Sequence, residues 1–350
     1  MVNLPEFYRG KRVFVTGHTG FKGTWLTFWL NEMGAKVCGY ALEPITNPSS
    51  FYLVGGEKFS DSHIGDVADF ERLKAVFDEF KPEIVIHLAA QPIVRESYRA
   101  PRETYVSNVM GTVNLMECVR LCPTVKSVLN VTTDKVYENK EWVWGYRENE
   151  PLDGFDPYSN SKSCSELVTH CYKNSFLDGR GVAVSTARAG NVIGGGDFSA
   201  DRIIPDCVRA AAKGEDIVVR NPYSVRPYQH VLEPLYAYLT ILAEQYEDPN
   251  KAGYYNVGPD EGDCRKTGEL TDAFCAAWGG VKWINRFDGG PHEANFLKLD
   301  CSKIKQTFGW KPRWNIFKAV EKTVEWEKAR LTGGDLQKTM RAQIAEFMNA

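Results

Sequence analysis

Apolar residues in this chain come in short unbroken runs, separated by longer stretches in which they recur every third or fourth position. The runs are 11–16 (KRVFVT), 36–41 (KVCGYA), 83–88 (EIVIHL), 127–133 (SVLNVTT) and 181–188 (GVAVSTAR). Continuous apolar runs of this length mark strands buried on both faces. Between them, residues 24–33, 70–80, 106–121 and 157–174 carry apolar positions at helical spacing. Gly34 stops the first of these helices and Lys81-Pro82 the second. Strand alternating with helix predicts an α/β fold built on an open, doubly wound parallel sheet. After Gly194-Gly195-Gly196 the alternation stops, and Pro and Gly become frequent. We expect a smaller mixed α/β substrate domain there. The expected division is 1–190 and 191–350, with the helical segment near 231–246 returning to the first domain. Residues 138–156 have no periodicity and carry Trp142, Trp144 and Tyr146; they are expected to form a loop over the site.

The turn after the first strand reads Thr16-Gly17-His18-Thr19-Gly20-Phe21-Lys22-Gly23. Glycines at this spacing, between a strand and a helix, let backbone N–H groups approach a pyrophosphate at the positive end of the helix. A dinucleotide site at Gly17, Gly20 and Gly23 is therefore expected. His18 is bulky for such a turn. No acid closes the second strand to hold ribose hydroxyls, since Glu43 lies slightly late. Modest cofactor affinity is expected, with NAD preferred over NADP. Asp66, in Gly65-Asp66-Val67, is a candidate partner for the adenine edge.

Tyr158 and Lys162 stand four residues apart, on one face of a predicted helix. A phenol of pKa ~10 is a poor base near neutrality. A lysine cation and a positive nicotinamide ring lower that value. The phenolate then takes the proton of an alcohol while hydride leaves its carbon. Thr133, at the end of the preceding strand, is placed to hydrogen-bond the reacting oxygen.

Composition narrows the partners. The chain has 350 residues and a formal charge of −3, without a long Lys/Arg run, which argues against nucleic acid or an acidic membrane. No apolar run reaches the roughly 18 residues of a membrane span. Residues 1–11 mix Pro5, Glu6, Arg9 and Lys11 and show no signal-peptide core. The nine cysteines are scattered, and the six histidines (His18, His63, His87, His170, His230 and His292) never fall at metal-ligand spacing. Reduced thiols, no metal centre and a cytoplasmic location are expected.

Taken together, GHTGFKG, the strand HLAAQ (His87 to Gln91), Asn108, TTDKVY, YSNSK and the run from Ala189 to Gly194 resemble the extended short-chain dehydrogenase/reductases that act on nucleotide-activated sugars. The run from Arg226 to Val231 is similar to that family's substrate-diphosphate strand. The resemblance covers nearly the whole chain. It implies a Rossmann sheet of about seven strands and NAD held by Gly17, His18, Gly20, Phe21, Gly23, Asp66, Val67, Leu88, Ala89, Ala90, Asn108, Tyr158 and Lys162. It also implies a nucleoside-diphosphate sugar whose diphosphate meets Asn191, Arg202 and Arg226, and a homodimer or homotetramer.

Asp134 and Lys135 choose within the family. A 4-epimerase has small residues at these places, whereas the sugar-nucleotide 4,6-dehydratases carry an acid/base pair. Glu as the second member marks the dTDP-glucose and GDP-mannose branches; Lys resembles the branch that takes CDP-linked glucose. The resemblance implies oxidation at C4, loss of water across C5 and C6, and return of hydride to C6. Tyr158 and Lys162 would serve the first step, with Lys135 as C5 base and Asp134 as C6 acid. A base must be neutral, and bringing a lysine from ~10.4 to ~7.4 takes about 4 kcal/mol. The alternatives are a nucleotide-sugar 4-epimerase and a non-catalytic dinucleotide sensor.

Overall fold

The computed structural model describes residues 2–286 and 296–350. Met1 and His292, each part of a reading above, lie outside them. Seven parallel strands form the central sheet. In chain order they are β1 (Arg12–Thr16), β2 (Lys36–Ala41), β3 (Asp61–Ile64), β4 (Ile84–His87), β5 (Ser127–Val131), β6 (Ala183–Ala189) and β7 (Tyr254–Val257). Their spatial order is β3-β2-β1-β4-β5-β6-β7. In the central pairings Val13 lies beside Val37 on one side and Ile84 on the other. The order reverses between β1 and β4, and the crevice beyond the carboxyl ends of these strands is where ligands sit in such sheets.

The helices cover both faces. Among them are α1 (Phe21–Glu32), α2 (Phe70–Phe80), α3 (Gly111–Leu121), α4 (Pro157–Tyr172) and, after α5 (Ile203–Lys213), which packs away from this sheet, α6 (Leu232–Glu247). On one face Val13, Val15, Ile84 and Ile86 pack with Trp25 and Leu26 of α1 and Leu235 and Leu239 of α6. On the other, Phe14, Val85 and Val128 meet Leu73 and Phe77 of α2 and Leu115 and Val119 of α3. Burial of each such side chain contributes about 1.5–3 kcal/mol, which is why the strand runs are apolar throughout. Local signals set the helix ends. Asp69 caps α2 by accepting from Arg72 N, and Lys81 leaves it at φ +52° before Pro82. Asp156 caps α4, and Pro157 opens it.

The outer strands β3 and β7 were not among the apolar runs. DSHI is short and half polar, and YYNV returns to the sheet only after a long excursion. The sheet therefore draws strand β7, as well as α6, from beyond residue 190. Helix α1 starts three residues earlier than its periodicity indicates, because Gly23 lets its first turn close on the strand. A single π turn, Val106–Met110, precedes α3. A separate core lies in the rest of the chain, with Ile204 and Val208 of α5 against Ile217, Phe274, Val320 and Val324.

Candidate active site

The glycine turn brings α1 almost into contact with β1. A Cβ at Gly23 would lie 2.1 Å from the Gly17 carbonyl oxygen, and one at Gly17, where φ is +77°, would lie 2.7 Å from Ala89 N. Only glycine fits either position. Gly20 is the N-cap of α1 and offers no side-chain cap, so the first N–H groups of the helix are left for a ligand. Phe21 lies in that first turn. Leu88, Ala89 and Ala90 continue from β4 along the same crevice. The residues present fit a dinucleotide pyrophosphate.

The other residues predicted for the cofactor divide into two groups. His18 is buried against Gly39 and shares a 2.7 Å hydrogen bond between Nε2 and Ser62 Oγ. Burial lowers it to about 4, so it is neutral. Asp66 folds back to accept from Ala68 N at 2.9 Å, and its carbonyl accepts from Tyr40 Oη. Val67 is buried against Gly111. The amide of Asn108 is spent inside the protein, accepting from Gln91 N at 2.8 Å and donating to Gln91 O and Ser161 Oγ. It fixes the β4 loop to α4. Glu43, weighed for the ribose, accepts instead from Tyr52 Oη.

At the end of β5, Thr133 caps the short turn Asp134–Val136. Its Oγ1 donates to Asp134 Oδ1 at 3.0 Å. Asp134 is 2% exposed, and its other oxygen, Oδ2, has no partner among the described residues. Burial raises its pKa against the opposing effects of Lys135 and Thr133, which favours the protonated acid. Lys135 is half-buried and lines the same cavity. From α4, Tyr158 faces Thr133, and burial pushes the phenol up to about 12 although Thr133 and Arg202 oppose the shift. Lys162 donates to Val131 O at 2.9 Å; burial, assisted by Lys22, brings it down to about 7. The chain alone thus favours phenol and a lysine near half-charge, rather than the phenolate and ammonium expected from the sequence.

Thr133, Asp134, Lys135 and Tyr158 line a cavity of about 630 Å³, a size suited to a small-molecule ligand. Asn191, Arg202 and Arg226 line it too. Arg202 pairs with Asp197 at 3.3 Å, and Arg226 is buried with Nη1 donating to Val225 O. Charged cavity residues left without a role by the sequence reading include Lys22, Asp197 and Arg220. Lys22 was in plain view inside the glycine motif, and Arg220 lies six residues before Arg226. The loop expected over the site is elsewhere. Among the described residues none of 138–156 lines this cavity. Trp142 and Trp144 instead border a groove of about 610 Å³ with Lys298 and Lys305. Tyr146 stacks on Tyr137 and bridges to Leu299, which holds the loop away from the cavity.

Behind α4 lies a second buried charge cluster. Glu166 accepts from Arg188 through both oxygens at 3.0 Å, and from Thr132, Thr186 and His170. Across the start of β2 and β3, donor atoms of Cys38, Asp61 and His63 lie within 4.8 Å of one another. Sequence spacing did not reveal this grouping. Burial raises the Cys38 thiol to about 12, and Asp61 pairs with His63 at 3.2 Å.

Residues 14–323 match the GDP-mannose 4,6 dehydratase family. The chain is 49% identical to the CDP-glucose 4,6-dehydratase of Salmonella typhimurium over 99% of its own length and 98% of that relative. The fold is similar to that of the dTDP-glucose 4,6-dehydratase of Bacillus anthracis in complex with NAD (TM-score 0.76, 20% identity, 94% of this chain and 100% of the other). It is also similar to that of the UDP-glucose 4-epimerase of Thermotoga maritima with UDP-glucose (TM-score 0.79, 23% identity, 91% and 99%).

Proposed function

The chain belongs to the GDP-mannose 4,6 dehydratase family, and on that premise we propose that it is an NAD-dependent hydro-lyase converting CDP-D-glucose to CDP-4-keto-6-deoxy-D-glucose and water. The observation that carries the reading is the pair Asp134-Lys135 directly after Thr133. It faces the cavity that Tyr158 lines, with a buried carboxyl oxygen that has no partner among the described residues. A 4-epimerase has no use for that acid. Near-full-length identity to a CDP-glucose 4,6-dehydratase supports the CDP-linked sugar.

Residues 1–190 hold the dinucleotide on the turn Gly17–Gly23 and the loop Leu88–Ala90, and residues 191–350 hold the sugar nucleotide through Asn191, Arg202 and Arg226. Bound NAD⁺ supplies the hydride acceptor at C4 and, once reduced, the donor at C6, and its positive ring favours the ionised phenol. Tyr158 takes the C4 hydroxyl proton, with Thr133 hydrogen-bonded to the same oxygen and the Lys162 cation stabilising the phenolate. The C4 ketone acidifies the C5 proton, which Lys135 removes. Asp134, whose pKa burial raises, gives its proton to the C6 hydroxyl as water leaves. Atoms and electrons balance: one water is lost and no net oxidation occurs.

Exposed Met110 and Leu167, on helices flanking the sheet, support a homodimer or homotetramer joined through helices. No described helix is long and apolar enough to cross a membrane. The nine free thiols support the cytoplasm as the working compartment.

The test is incubation with NAD⁺ and each of CDP-, dTDP-, UDP- and GDP-glucose, followed by absorbance in alkali. A 4-keto-6-deoxy product from CDP-glucose is expected. An epimer without alkaline absorbance would replace this reading with the 4-epimerase, and no turnover of any sugar would favour the sensor.

A further inference from the structure

Lys22 stands in the first turn of α1, between Phe21 and Gly23, and its side chain reaches the cavity of Tyr158 and Asp134 rather than solvent alone. Its position is electrostatically costly. The N-terminal end of a helix carries positive potential. Two further cations act on the same region, Arg202 from the loop before α5 and Lys162 from α4. The acids within reach are Asp197 and Asp134, but Asp197 is paired with Arg202 and Asp134 is held towards its neutral form. Arg220 is likewise spent on Asp201 and Asp206. Among the described residues no hydrogen bond or ion pair holds the Lys22 ammonium. A chain that puts an unpaired cation there gains only when an anion arrives.

Two anions are available. The cofactor pyrophosphate is served by backbone N–H groups of the same turn. Of the charged groups that act on Lys22, Arg202 and Asp197 line the same cavity as Asn191 and Arg226. We propose that Lys22 contacts the diphosphate of the sugar nucleotide, so that one helix turn holds the cofactor with its backbone and the substrate with a side chain. This rests on the sugar-nucleotide reading above. Its consequence is a proton linkage. Burial and Arg202 lower Lys22 to about 8, against Asp197 and Asp134. The other titratable groups facing the cavity are Lys135, Tyr158, Tyr228, Arg95, Asp201 and Asp206. A diphosphate favours the charged lysine, so binding takes up a proton above pH 8 and weakens as pH rises.

Calorimetric titration of CDP and, separately, NAD⁺ into the wild-type protein, Lys22→Met and Lys22→Arg between pH 7 and 9.5 tests this. Lys22→Met should weaken CDP binding about tenfold at pH 7, roughly one charge-assisted hydrogen bond. It should abolish the proton uptake and leave NAD⁺ affinity within about twofold. Lys22→Arg should restore the affinity but not the dependence on pH near 8. Unchanged CDP affinity and pH profile in Lys22→Met would overturn the inference alone, as would a loss confined to NAD⁺. A wild-type protein that binds none of CDP, UDP and dTDP would overturn the sugar-nucleotide reading as well.

Discussion

Helix α4 separates two buried clusters of charge. Behind it, Glu166 and Arg188 meet through paired hydrogen bonds, and Thr132, Thr186, Tyr137 and His170 fill the remaining positions. In front of it, Asp134 keeps an oxygen without a protein partner, Lys162 finds a carbonyl, and Lys22 finds no partner among the described residues. The ionisation states follow. Burial alone would raise Glu166, yet Arg188, His170 and Thr132 hold it down at about 2. In the cavity burial prevails, and Asp134 and Tyr158 rise while Lys162 and Lys22 fall. Charges that satisfy one another serve the fold. Those left incomplete are the ones a ligand completes, and two of them, Lys162 at about 7 and Lys22 at about 8, are displaced towards neutrality.

Four variants press on this contrast. The largest effect is expected for Tyr158→Phe. Turnover to the 4-keto product should fall about 10²–10⁴-fold, while the denaturant midpoint stays unchanged or rises, since no buried partner is orphaned. A large loss of stability would place Tyr158 with the structural cluster. Glu166→Gln should do the reverse, costing about 3–5 kcal/mol of unfolding free energy by leaving Arg188 without its counter-charge. Because the folded pKa of Glu166 is depressed, its contribution is present above the ordinary carboxylate range near ~4.3 and is lost as pH falls towards about 2. Denaturation midpoints measured from pH 5 to 2 should therefore lose slope in the variant. Glu166 also supports the charge of Lys162, so the limb of kcat set by Lys162 should move to lower pH. The smallest change is Asp134→Asn, about 10²-fold in water loss, with little effect on stability. Hydride transfer at C4, followed by absorbance of the reduced nicotinamide, should persist. Lys135→Ala should behave similarly, and full dehydration in it would remove Lys135 from the mechanism.

The two clusters also differed in how readily the sequence disclosed them. Tyr158 and Lys162 share a helix face, and Thr133, Asp134 and Lys135 are consecutive, so local spacing places them. The glycine turn is equally local, because its requirement is steric and falls on three residues. Glu166 and Arg188 were silent: nothing in CSELV or TARAG announces a pair that forms only when α4 lies on β6. Lys22 was overlooked for another reason, since its neighbours in the motif were read for their missing side chains. The strands followed the same rule. The central runs were legible because burial on both faces forces them to be apolar. β3, at the sheet edge, escapes that demand. The 138–156 loop misled because Trp142 and Tyr146 pack with Tyr137 and Leu299 rather than over the cavity.

The late arrival of β7 has a bearing on how the chain is made. Until residue 257 has been synthesised, β6 is an edge strand with unpaired N–H and C=O groups, a template for pairing with other chains. A polypeptide ending near residue 190 would carry the glycine turn, Tyr158 and Lys162 and still lack both that strand and α6. Such a fragment should aggregate rather than bind dinucleotide, and a nascent chain halted at that length would be a natural client for a chaperone.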